Sequence, residues 1–219
     1  MFKFLKEIKE AFHEGIEEGR AELAAEKEEE ETKEAAEKAL YEALSNAIPT
    51  IEQMALALSC PYREILTDGS NLRLFAFGKL DPKEEKSFKD RLYRDFGIED
   101  EESVEKAFKD ADESFSKSEI SHEVFRPALF LYVITSSADV GYIDFSDYEE
   151  LSLACIRQIT NNQAIHSWED YGRIFMEEEC INNILGRKFL QRSIDRLQAE
   201  ENSPWNIFPW NKMVEKAQS

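Results

Sequence analysis

The chain has 219 residues, 42% of them hydrophobic, with 15 Phe and 7 Tyr as bulky filling; this excludes a wholly disordered polymer and fits one domain with an appendage, or two small ones. Asp and Glu number 46 against 27 Lys and Arg, a formal charge of −19 that repels phosphate backbones and anionic lipid heads, so no nucleic-acid partner is expected. Only 8 glycines, with Ala, Glu, Lys and Leu in excess, argue for a mainly helical protein.

Residues 1–46 contain no proline and read as a charged helical extension, with residues 47–219 as a globular helical domain. Phe2, Leu5, Phe12, Ile16 and Leu23 fall on a heptad-like stripe that fades into EKEEEETKEAAEK, polar on nearly every face. A continuous helix here would extend roughly 65–70 Å. Three readings stay open: a mobile helical extension, a coiled-coil or partner-docking helix through which the chain could oligomerise, and a membrane-surface helix. The last uses Phe2, Phe4, Leu5 and Ile8 with Lys3, Lys6 and Lys9, but the acids after Glu14 oppose it, so membrane binding is not the favoured reading.

Thr50 with Gln53 can cap a helix, IEQMALALS, which Pro61 is expected to end. In TDGSNLRLFAFGKLDP the ends are loop-like and LRLFAF alternates as a short strand would, one arm of a small hairpin. Asp81-Pro82-Lys83-Glu84 is a helix start, and Gly97 a left-handed stop. Ser103 is expected to open the next helix. The run ALFLYVIT, within Val124 to Ser136, is hydrophobic on every side and should be the central buried helix, with Pro127 tolerated in its first turn.

Ser146 with Glu149 opens DYEELSLACIRQIT, and Ser167 with Asp170 opens WEDYGRIFMEEECINNILG, with Trp168, Tyr171, Phe175 and Ile174 inward. A helix from Lys188 to about Gln198 follows. The sum is an all-α protein, six to eight helices in an orthogonal array or irregular bundle.

Four stretches in order carry a family resemblance: KLDPKEEKSFKDRLYRDFGIEDEESVEKAF, where a helix closes like "WGI" before an acid-rich capped helix; GYIDFSDYEEL, like "GYIS-EEA"; HSWEDYGRIF, like "SWEEFG"; and SPWNIFPW, like a closing "SPW…PW". Over about residues 50–212 the chain resembles the bacterial family known as domain of unknown function 1266. It departs at Phe96, where the family tends to have Trp, and at Asp139-Val140, which replaces a small residue. The resemblance implies a bacterial, mostly helical domain and brings no activity with it.

Chemistry-bearing motifs are sparse. His13 lies in the charged extension, while His122 and His166 precede helix starts and suit turns or packing. No HExxH, GxSxG or glycine-rich phosphate loop occurs, so no catalytic residue, metal site or cofactor is assigned. Glu177, Glu178 and Glu179 read as solvated acids beside the thiol of Cys180. Asp144, Asp147, Glu149 and Glu150 match a calcium loop only in charge. Cys60, Cys155 and Cys180 make no CxxC and read as free thiols of a reducing cytosol; with no apolar run long enough to span a bilayer, a cytoplasmic location is expected. The one weak pocket candidate is His166, Trp168, Glu169, Asp170, Tyr171 and Arg173.

SPWNIFPW concentrates Trp205, Ile207, Phe208 and Trp210 around two prolines that hold their predecessors extended. Two readings follow. A stiff strap would close the helical core, each large side chain giving about 2–3 kcal/mol before ordering entropy; alternatively Trp205, Phe208 and Trp210 form an exposed patch for a partner. The functional expectation is a non-enzymatic protein-binding module, immunity- or adaptor-like, whose acidic faces meet another and basic protein. The alternatives are a hydrolase or transferase assembled from scattered residues such as His166, Glu169 and Asp170, and a membrane-peripheral protein anchored by its N-terminal helix.

Overall fold

The computed structural model describes residues 27, 32, 35, 38–39, 42–67, 80, 82–118, 121–178, 184–201 and 203–219. The chain divides into two compact units, Met1–Ala43 and Leu44–Ser219, three residues ahead of the expected boundary. Most of the first unit, and with it the apolar stripe of the extension, lies outside the described residues, as do LRLFAF, Asp81 and Cys180. Among the described residues of the second unit there is no strand. Nor, among the described residues, is any helix long and apolar enough to cross a membrane.

The helices are α1 (Ile51–Thr67), α2 (Pro82–Phe96), α3 (Glu101–Ser116), α4 (Phe125–Asp139), α5 (Glu149–Thr160), α6 (Trp168–Glu178), α7 (Ile184–Ala199), α8 (Pro204–Ile207) and α9 (Trp210–Gln218), with a 3₁₀ turn at Phe145–Tyr148. They exceed the six to eight expected because the aromatic C-terminal stretch, read as an extended strap, coils into α8 and α9. Ser203 and Phe208, the residues before the prolines, do stay extended.

Two helices make the centre. α4 is apolar all round, as its sequence requires, and α1 packs most extensively against it and against α7. From Met54 to Cys60 no residue of α1 exceeds 1% exposure.

Pro61 does not end α1 but sits inside it. An internal proline supplies no N–H to the carbonyl four residues back and crowds it, a cost of about 3 kcal/mol in an isolated helix. That carbonyl belongs to Ala57, and the Trp205 indole Nε1 donates to it at 2.9 Å. One residue on, the Tyr171 hydroxyl donates to the Leu58 carbonyl. Two aromatic side chains from distant segments thus feed the helix backbone around the proline, so α1 continues to Thr67.

Capping fixes the other boundaries. Thr50 and Gln53 form the expected reciprocal pair, Thr50 N to Gln53 Oε1 at 2.9 Å and Gln53 N to Thr50 Oγ1 at 3.2 Å. Gly97 takes φ +67 and closes α2. Ser103 does not open α3. The cap is Asp100, whose carboxylate accepts from Ser103 N at 2.9 Å while Ser103 Oγ accepts from Asp100 N at 2.9 Å. Asp144, not Ser146, caps the 3₁₀ turn, and α5 begins at Glu149 without a side-chain cap. The long helix expected from Trp168 through Gly186 ends as α6 at Glu178; Ile184, Leu185 and Gly186 belong to α7.

α4 has no side-chain cap of its own. The Glu178 carboxylate from the end of α6 accepts instead from Val124 N at 2.8 Å and Phe125 N at 2.9 Å, placing negative charge on the positive end of α4. Glu178 is therefore half-buried and structural, a correction to its reading as a solvated acid.

Three turn carboxylates lie below their ordinary value of 3.8. Asp100 is lowered by its bonds from the Ser103 hydroxyl and backbone, Asp144 by the Ser146 backbone N–H and hydroxyl, and Asp170 by the His166 backbone N–H and then Arg173. A carboxyl depressed in the folded state stabilises fully above the unfolded value, and that contribution is lost as pH falls through the folded one. The Asp100→Asn, Asp144→Asn, Asp170→Asn triple variant is expected to show a shallower fall of Tm from about pH 5 to about pH 2 than the parent. Equal slopes would show that these carboxylates carry no share of acid unfolding.

Candidate partner-binding surface

The indoles are inside. Trp205 is 2% exposed, Trp210 7% and Phe208 0%. Trp168 stacks on Trp205 at 5.1 Å and 5° and meets Trp210 edge-on at 4.8 Å, while its Nε1 donates to the Phe208 carbonyl at 2.7 Å. Tyr171 packs edge-on against Trp205 at 5.6 Å. The polar groups of Trp168, Trp205 and Tyr171 each end on a backbone carbonyl, of Phe208, Ala57 and Leu58. Trp205, Phe208 and Trp210 thus pack into the core. Ser203, buried at the start of α8, accepts from Asn206 N at 3.3 Å and donates to the Leu197 carbonyl, locking the turn out of α7.

The six residues suggested as a pocket do not converge. Trp168 and Tyr171 face the core. His166 is exposed; its backbone N–H donates to Asp170 Oδ2 at 3.0 Å, so Asp170 fastens the helix start, with its own N–H donating to Ser167 Oγ at 3.1 Å. Arg173 pairs with Glu177 at 3.0 Å and more loosely with Asp170 at 3.5 Å, on the surface. Glu169 and Arg173 line a groove of about 330 Å³ between α6 and α7. Gly172 lets the two helices approach there: a Cβ would stand 3.0 Å from the Ile194 Cγ2 methyl.

The surface that sequence reasoning missed lies on α7. Its inner face is Leu190, Ser193, Ile194 and Leu197. Ile184, Leu185, Lys188, Phe189 and Arg192 recur on the opposite side at helical spacing. Ile184 is 75% exposed, Leu185 64% and Phe189 55%, half of the large apolar side chains exposed among the described residues. Four bases, Arg187, Lys188, Arg192 and Arg196, stand on this helix against one acid, Asp195. A helix apolar on two opposite sides is half-buried with a second face to fill. The signal was present in ILGRKFLQR but hidden by assigning Ile184 and Leu185 to the tail of the preceding helix.

α3 is the counterpart in charge. Glu101, Glu102, Glu105, Asp110, Asp112 and Glu113 are all exposed on it. The second unit therefore carries a cationic apolar stripe and a separate anionic face.

The chain matches no family model, no curated protein and no solved structure.

Proposed function

We propose that the chain is a protein-binding module, adaptor- or immunity-like, whose contact centres on the outer stripe of α7. The observation that carries this is the exposed triad Ile184, Leu185 and Phe189 in register with Lys188 and Arg192. Apolar anchors ringed by charge are how an interface combines affinity with orientation. The matching partner surface is apolar with acidic flanks. Kinship with the bacterial domain of unknown function 1266 rests on the four motifs and belongs to the same proposal; it assigns no chemistry.

A second reading keeps the basic partner. Six exposed carboxylates on α3 would raise the encounter rate with a cationic protein, an effect that fades with salt. The two readings separate by charge and by face.

The test is co-purification from native extract with the parent and with Leu185→Ser/Phe189→Ser. Surface changes of this kind leave stability within about 0.5 kcal/mol. At least one protein should be captured by the parent and lost roughly tenfold in the variant at equal Tm, a factor equivalent to about 1.4 kcal/mol. A captured set indifferent to both substitutions, and instead released by Glu101→Gln/Glu105→Gln or by salt, would transfer the function to α3.

A further inference from the structure

A cleft of about 550 Å³ opens between α1, α2, α3 and α4, away from α7. Its walls are rings: Tyr62, Phe96, Phe115, Phe125 and Tyr132, with Leu129 beside them. Tyr62 lies 5.3 Å from Tyr132 and 6.1 Å from Phe125; Phe96 lies 6.2 Å from Tyr132, and Phe115 6.1 Å from Phe125. The volume falls in the range of small-molecule sites, about 300–1,000 Å³.

The charged groups at its rim are already committed. Arg91 pairs with Asp95, and Arg94 reaches the same carboxylate at 3.0 Å. His122 presents only its ring: Nδ1 donates to the Glu178 carbonyl at 3.0 Å, Nε2 engages Ser118 Oγ at 2.9 Å, and the imidazole lies 4.9 Å from Phe115. Burial pushes the Tyr132 phenol up to about 12, so this wall stays neutral at physiological pH. A charged ligand would have to displace one ion of the Arg91–Asp95 pair or enter beside it without a counter-charge, which costs desolvation. An uncharged ring gains edge-to-face contacts on several walls with no such loss.

We propose that this cleft is a binding site for an uncharged, planar aromatic small molecule of one or two fused rings. It is independent of the α7 surface.

The probe is 2-naphthol, with 2-naphthoate as its anionic counterpart, titrated into the full chain at neutral pH. Expected are saturable one-to-one binding of 2-naphthol, at least tenfold tighter than 2-naphthoate, and intermolecular NOEs from the naphthol ring to the Leu129 methyls. Leu129→Trp fills the space and should weaken 2-naphthol binding at least tenfold without lowering Tm. Where that variant does not fold, the NOEs in the unaltered protein carry the decision alone. Absence of saturable binding, NOEs elsewhere on the molecule, or naphthoate binding as tightly as naphthol would each overturn the proposal.

Discussion

Replacing Asp139 with alanine is expected to cost about 3–5 kcal/mol of folding stability. Asp139 closes α4 and pairs with Arg63 of α1, their side chains 1% and 0% exposed. The Arg63 guanidinium also lies over the Phe88 ring, 5.2 Å from its centroid, so it is enclosed by α1, α2 and α4. Removing the carboxylate takes a buried partner from a cation whose side chain is 0% exposed, and the loss exceeds what the pair contributes net. Urea unfolding measures this, and for a unit of this size Tm should fall by at least about 6 °C. Arg63→Met should cost a similar amount. The double replacement Arg63→Met/Asp139→Leu should recover most of it, because buried pairs exchanged for apolar residues of similar volume are often neutral. A single-variant loss below about 1 kcal/mol would show that water or another anion reaches Arg63.

The second large effect joins Trp205 to Pro61. Trp205→Ala should cost about 3–5 kcal/mol through the cavity it leaves. Trp205→Phe keeps most of the volume, but the Ala57 carbonyl then has neither an indole nor a backbone N–H at position 61, adding about 1–3 kcal/mol for an unsatisfied buried acceptor. Restoring the amide with Pro61→Ala should make Trp205→Phe cheaper, since Ala57 regains a helical donor. A double-mutant cycle with a coupling of at least about 0.5 kcal/mol is expected. Additive costs would mean that the indole bond does not compensate the proline.

These two interactions also mark where the sequence stops being readable. The elements set by local chemistry were legible: the Thr50–Gln53 box, the left-handed Gly97, and α4 apolar around its whole circumference. Pro61 misleads because the group that rescues its helix lies 148 residues beyond Ala57, whose carbonyl it serves. No local residue signals a cap for α4, because the group that caps it, Glu178, belongs to α6, more than 50 residues on. A window of a dozen residues sees none of these. Ser103 and Ser146 stood close to true caps, but the neighbouring aspartates won, since a carboxylate accepts two donors at once where a hydroxyl accepts less strongly. Of the site, the C-terminal aromatic segment was recognised as a special feature with two readings, and burial of its rings favours the core. The α7 stripe was lost through one misplaced helix boundary.

The Ala57–Trp205 bond has a consequence for how the protein is made. At about 5–20 residues per second, roughly 7–30 s separate synthesis of the two partners. Throughout that interval the proline-opened carbonyl of nascent α1 lacks its indole donor, beside the apolar stretch Met54 to Cys60 that the folded unit buries. A polypeptide with this delay must fold late and cooperatively, and while tethered to the ribosome it offers chaperones a binding segment that the finished molecule hides.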